Sequence, residues 1–233
     1  MTADDRRLSD PLRQCPLFRD AEEDALADLQ RRLRRRRFRR GEVIFHQGDA
    51  GDSLHVVTQG AVKIALPSSE GDEAIIATLR PGDFFGELSL LDGAPRSATA
   101  AALEPAETLS LPRADFLEVV GRDPRLRDAL LRSLAVELRR LTAHVEELHF
   151  LDLAGRLATR LARLARETQP SPGTSEIALD WPYTQSDLAA MIGATRQSVN
   201  RLLSDLVRDG LVSIDRDRLL IPDVSELERR GNR

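Results

Sequence analysis

Two charged residues lie in a stretch whose composition suits a protein interior. The run FFGELSLLDGAPRSATA, which begins at Phe84, sets a carboxylate, Glu87, and a guanidinium, Arg96, among Gly, Leu, Ala and Ser. A carboxylate accepts from hydroxyl groups, and a guanidinium offers two parallel donors that match the oxygens of a phosphate. Gly86, followed by Glu87 and Leu88, can open a short helical turn whose first N–H groups suit an anion. Ser97 adds a hydroxyl beside Arg96. Together these groups fit a ligand that carries an anion and hydroxyls. The plain alternative is an internal Glu87–Arg96 ion pair. Burying such a pair without further partners is seldom favourable, so the ligand reading is preferred.

A second constellation lies near the other end, in TQSDLAAMIGATRQSVNRLLSDLVRDGLV. Thr184 is placed to cap a short helix, with Asp187 three residues on as in a capping box. Ala189 is small enough for two helices to cross, and Gly193 supplies a tight turn. Thr195 is placed to cap a second helix carrying Arg196, Gln197, Asn200 and Arg201, held down by Val199, Leu202, Leu203 and Leu206. SIDRDRLLIP reads as a following hairpin. This is a winged helix-turn-helix, whose second helix enters the major groove of DNA. Arg196 and Arg201 match guanine O6 and N7, and Gln197 matches adenine N6 and N7. Arg156, Arg160 and Arg163 are candidates for phosphate contacts.

The elements that position these groups follow from pattern. Residues 12–40 read as helical, with Leu17, Ala21, Ala25, Leu29 and Leu33 on one stripe. The run RRLRRRRFRR resembles a nucleic-acid patch, but the simpler reading is a helix end followed by a strand whose arginines face water. Between Glu42 and Leu111, short β-rich pieces alternate with turns at Gly48, Gly51, Gly60, Gly71, Gly82 and Gly93. That spacing predicts a compact antiparallel barrel or roll. PRADFLEVVGRDP reads as a short helix closed by Gly121, with Pro124 opening the next. In that next helix Leu134, Leu138, Leu141, Val145 and Leu148 keep a 4-3-4-3 rhythm, the seam of a helix-to-helix dimer. Asp152 is placed to cap a further helix, which the loop QPSPGTSE ends.

Composition narrows the function. The chain of 233 residues is 41% hydrophobic and 31% charged, a globular balance, with a net charge of −4 that draws no nucleic acid by itself. The single cysteine, Cys15, cannot form an internal disulfide or hold a zinc or iron–sulfur site. No metal site is expected. No apolar run approaches the roughly 20 residues that span a bilayer, and no signal-peptide core is visible, so a cytoplasmic protein without membrane contact is expected. No nucleophile–base pair or P-loop lysine motif is present, so a binding protein is expected, not an enzyme.

The residues 16–18 (PLF), the glycines of the roll, PGDFFGELSLLDGAPRSATA, FLDLAGRLATRLARLA and TQSDLAAMIGATRQSVNRLL together resemble the Crp/Fnr transcription regulators, the cyclic-AMP receptor protein group. The resemblance implies an α+β fold: an N-terminal cyclic-nucleotide-binding β-roll (a double-stranded jelly roll with flanking helices), a long dimerisation helix and a C-terminal winged helix-turn-helix. The matching segments are 12–122, 123–151 and 152–225. It further implies a bacterial homodimer on palindromic double-stranded DNA, with RNA polymerase as partner and cyclic AMP or cyclic GMP as ligand. Gly86 and Leu88 would bring backbone to the ligand, Glu87 would hold the ribose 2′-hydroxyl, and Arg96 and Ser97 the cyclic phosphate. The two positions that touch the base across the dimer match Leu141 and Thr142. Thr142 fits the family pattern and Leu141 departs from it, which leaves the base open. Gln197 stands where many members carry Glu, which predicts a half-site different from TGTGA at the facing position. The alternatives are a regulator needing no nucleotide, one gated by cyclic di-GMP or by haem on His46, His55, His144 or His149, and a nucleotide-binding regulatory subunit. The DNA-reading residues under this resemblance are Thr195, Arg196, Gln197, Asn200 and Arg201.

Overall fold

The computed structural model describes residues 12–168, 177–180, 183–215 and 218–231, so the predicted loop at 169–176 lies outside the described residues. The chain divides into two compact units, Met1–Arg140 and Leu141–Arg233.

The first unit is a two-sheet roll. Helix α1, Glu23–Arg32, leads into β1, Arg34–Phe38. The other strands are β2 (Val43–Phe45), β3 (Ser53–Gln59), β4 (Val62–Pro67), β5 (Glu73–Leu79), β6 (Phe84–Phe85), β7 (Thr99–Ala102) and β8 (Ala106–Pro112). They form one sheet in the order β1-β8-β3-β6 and another in the order β2-β7-β4-β5. All pairings are antiparallel, as the glycine-punctuated alternation predicts. Val57, Val62, Phe85, Ala100, Ala102 and Ala106 fill the space between the sheets. Leu54, Val56, Leu109 and Leu111 face the other way, onto Leu26, Leu29, Phe116 and Leu126 of the flanking helices. Period-2 strands thus send one face inward and one toward the helices; the inward face also carries buried His55, Thr108 and Ser110.

Two expectations need correction, and the reading of the arginine run as a helix end followed by a strand holds. The helical reading of residues 12–40 is too long: after a helical turn at 12–14 and turns through residue 20, the helix proper ends at Arg32. The arginines that follow are the strand β1, with Arg35 and Arg37 paired to buried Glu107 across to β8. Alternation on a strand, not a nucleic-acid patch, explains the run. Gly121 does not close a helix either. Helix α3, Arg113–Arg122, runs through it and ends at Asp123, just before the proline that opens α4, Pro124–Phe150.

The second unit begins within α4. Asp152 accepts from the Gly155 N–H at 2.7 Å and so caps α5, Leu153–Thr168. β9 (Ile177–Asp180), α6 (Gln185–Ile192), α7 (Arg196–Arg208), β10 (Ser213–Asp215), β11 (Arg218–Ile221) and α8 (Val224–Gly231) complete it. The expected wing hairpin is β10–β11, and β9 joins its far side to make three strands in the order β10-β11-β9.

Candidate functional site

Glu87 and Arg96 do not pair. Arg96 lies in the loop between α2, Leu88–Asp92, and β7, where its backbone N–H donates to Asp49 O and its carbonyl accepts from Gly48 N–H. The residue is 3% exposed. Its Nη1 donates to Gly86 O at 2.6 Å and to Ser89 Oγ at 3.0 Å. Its Nη2 donates to Ser53 O at 2.8 Å and to Asp52 Oδ1 at 3.3 Å. The guanidinium carbon sits 4.1 Å above the centre of the Phe45 ring, a cation–π contact. Nε alone is buried without a partner. Burial works against the charge, and Asp52 is the first group that works for it. The Asp52 side chain is 86% exposed, so this counter-ion is held loosely.

Gly86 makes the arrangement possible. Its φ is +86°, and a Cβ added there would stand 2.5 Å from Arg96 Nη1. Only glycine lets the backbone turn this way and lie against the guanidinium. The chain then enters α2 with Glu87 at its N-cap position. The Glu87 side chain makes no hydrogen bond or ion pair to any other described residue. Burial raises its pKa, and Glu137 on α4 adds to the effect, against its own backbone N–H and Arg96. It is therefore an acceptor held ready beside a cation that is engaged elsewhere. Leu88 and Ser97 are exposed, and Ser89 is buried under the guanidinium.

A polar chain lies behind Arg96 that the sequence reading did not include. Ser53 Oγ donates to Asp52 at 2.8 Å, which turns its lone pairs to His55 Nε2 at 3.2 Å, and His55 Nδ1 meets Thr108 Oγ1 at 3.1 Å. His55 stacks on Phe85, with centroids 5.1 Å apart. Burial, then the Arg96 charge, pushes its pKa down to about 4. A neutral ring closed on both nitrogens is a structural histidine, and the haem reading has no support at that position. His46 is exposed, and His144 shares Glu147 with Arg163. The described residues include no group of three or more His, Cys, Asp or Glu arranged to hold a metal ion. Asp52 and Ser53 are 43 to 44 residues from Arg96 in sequence. The signal that could have found them is the Gly-Asp-Ser turn opening β3.

On α4, Leu141 and Thr142 are both exposed. The seam residues Leu138 and Val145 are 66% and 61% exposed, whereas Leu134 packs against the core of the roll.

In the second unit the helix-turn-helix is assembled as its sequence suggests. Thr184 and Asp187 form a reciprocal capping box at α6, and Gly193 ends that helix at φ +67°. The Thr195 side chain accepts from Ser198 N–H and so caps α7. Val199, Leu203 and Leu206 are buried, so Arg196, Gln197, Asn200 and Arg201 all face outward. Gln185, Thr195, Arg196, Gln197 and Asn200 line one cleft. The arginines of α5 named as phosphate candidates have partners within the chain. Arg156 donates to the carbonyls of Leu148, Leu151 and Ile192, Arg160 meets Met191 Sδ, and Arg163 pairs with Glu147. Carbonyls at helix ends leave acceptors to satisfy, and Arg156 takes that part.

Comparisons with known proteins agree with this division. The cyclic nucleotide-binding domain model matches residues 35–123, and the Crp-like helix-turn-helix domain model matches residues 155–230. The CRP-like cAMP-activated global transcriptional regulator of Mycobacterium tuberculosis is 31% identical over 96% of this chain and 100% of its own length. The cyclic AMP receptor protein of Thermus thermophilus is 34% identical over 88% of this chain and 89% of its own. A solved CRP-family transcriptional regulator, also from Thermus thermophilus, superposes with a TM-score of 0.69 at 27% identity, covering 85% of this chain and 97% of that one.

Proposed function

The chain belongs to the Crp/Fnr family of transcription regulators, and from that premise we propose that it is a homodimer whose DNA affinity is set by a cyclic nucleotide in the N-terminal roll. Cyclic AMP is the first candidate, by similarity to relatives named for it. The observation that carries the reading is the juxtaposition of a half-buried carboxylate, Glu87, that pairs with no other described residue, and a buried guanidinium, Arg96, whose one ion-pair partner among the described residues is exposed Asp52. A cyclic phosphate would replace Asp52 at Arg96 and supply a counter-ion from inside the site. Glu87 would accept from a ribose hydroxyl, and Ser97 would add a donor to the phosphate. Of the acceptors on the Arg96 guanidinium, Asp52 is the least costly to displace, because its side chain is exposed and water can take over its lone pairs.

The seam of α4 would join two copies, with Leu141 and Thr142 at the base-recognition positions. The paired α7 helices would then meet successive major grooves about 34 Å apart. Thr195, Arg196, Gln197, Asn200 and Arg201 would contact DNA, and RNA polymerase would be the downstream partner. The segments 12–122, 123–151 and 152–225 serve as sensor, dimer helix and reader. One observation favours a second reading, a regulator that needs no nucleotide: the four terminal N–H groups of Arg96 already have acceptors within the chain. Titrating a palindromic duplex with and without cyclic AMP separates the two, since only the gated regulator gains affinity.

A further inference from the structure

Gln185 opens α6 and Asn200 lies on the second turn of α7, fifteen residues later. Gln185 Nε2 donates to Asn200 Oδ1 at 3.1 Å, across the cleft that Arg196 and Gln197 also line. Resting on the DNA-binding reading above, we propose that Gln185 is a positioning residue that decides which end of the Asn200 amide meets a base. An asparagine amide has one acceptor oxygen and an NH2 group with two donors. Left free, it can use both ends at once, the bidentate pairing that selects adenine through N6 and N7. Here the oxygen is turned to Gln185, and the NH2 group becomes the outward end. The amide has no other partner among the described residues, because the further bond at this position, from Ser204 Oγ at 3.0 Å, goes to the backbone carbonyl. Asn200 therefore presents donors. Donors match the acceptor edges of guanine (O6, N7) or thymine (O4) and meet the N4 amino group of cytosine as a like group.

The reach of Gln185 is set by the fold. The capping box fixes the first turn of α6, Thr195 fixes the first turn of α7, and Gly193 fixes the angle between them. The two side chains therefore meet from two constrained backbones, so the hydrogen bond costs little further ordering.

Duplexes selected from a random pool by the parent chain, Gln185→Glu and Gln185→Ala test the assignment, with melting temperatures measured alongside. The parent should enrich a guanine or thymine at one position of each half-site. A carboxylate accepts only, so Gln185→Glu turns the Asn200 NH2 group inward and its oxygen outward. The preference at that one position then moves to adenine or cytosine, whose amino groups donate. Gln185→Ala releases the amide and lowers the preference ratio there by about fivefold or more, the low end of what a base contact contributes. Three identical motifs overturn the inference, as does a loss spread evenly over all positions, the mark of a disturbed fold. A parent chain that enriches no motif refutes the DNA-binding reading itself, and the inference with it.

Discussion

Replacing Glu87 by Ala separates a binding role from a structural one. Its side chain holds no hydrogen bond or ion pair to any other described residue, so truncation orphans none of their buried groups. Removing a half-buried carboxylate whose charging costs stability should leave Glu87→Ala no more than about 0.5 kcal/mol less stable than the parent, with a melting temperature no more than about 2 °C lower. Ligand binding should suffer far more. A hydrogen bond between a charged acceptor and a hydroxyl contributes about 1.5–3 kcal/mol, which corresponds to roughly 10- to 150-fold weaker binding of cyclic AMP. Calorimetric titration with cyclic AMP measures the second quantity and thermal melting the first. Arg96→Ala is the informative contrast. It leaves Ser53 O and Ser89 Oγ without the Arg96 donor, while Gly86 O keeps only the Ser89 hydroxyl at 3.3 Å, at about 1–3 kcal/mol for each unsatisfied group that water cannot reach, so it lowers the melting temperature by several degrees. The pH dependence has a definite sign. The Glu87 pKa is raised from its ordinary 4.5, so the folded state holds that proton more tightly than the unfolded chain. Its charging reduces stability as pH rises from 4.5 through the folded pKa. Glu87→Gln should therefore melt higher than the parent at neutral pH and level with it in acid. The reasoning fails if Glu87→Ala binds cyclic AMP within about threefold of the parent, or destabilises as much as Arg96→Ala does.

His55 sets an acid limit on the roll. Its pKa falls from 6.5 to about 4, so between those values the unfolded chain holds a proton that the folded one refuses, and stability drops as pH falls. The window is worth up to roughly 3 kcal/mol, and melting curves of His55→Gln should show a flatter acid limb, an equal slope counting against the account. The exposed seam of α4 predicts the oligomeric state. The parent should sediment as a dimer, and Leu138→Glu with Val145→Glu as a monomer of unchanged helical content; a monomeric parent would contradict it.

Much of this molecule is legible in local sequence because its devices are local. The caps and turn at Thr184, Gly193 and Thr195 span three or four residues, and each appears where chain chemistry puts it. The roll is legible for the same reason, since alternation and glycine turns repeat along the chain. The partners of Arg96 are not. Asp52 and Ser53 reach it through strand pairing and loop closure, which no spacing rule encodes, so the ion pair is to Asp52 and not to the nearer Glu87. The arginines of α5 show the same limit from the other side. Arg156 has the charge and position of a phosphate contact, and its donors go to three helix-end carbonyls instead. Gly121 marks a stop in isolation, but the helix runs one residue further, to Arg122, before Asp123 and the proline at position 124 end it.

The central claim is that an anion taken up beside Arg96 alters what α7 does to DNA. Fluorescence anisotropy of a labelled palindromic duplex, titrated with the full chain at fixed salt, measures this directly. Cyclic AMP at saturating concentration should tighten the complex about 5- to 150-fold, the range of coupling energies between linked sites, and the gain should vanish in Glu87→Ala at nucleotide concentrations that saturate only the parent. Equal DNA affinity with and without cyclic AMP, cyclic GMP or cyclic di-GMP would contradict it.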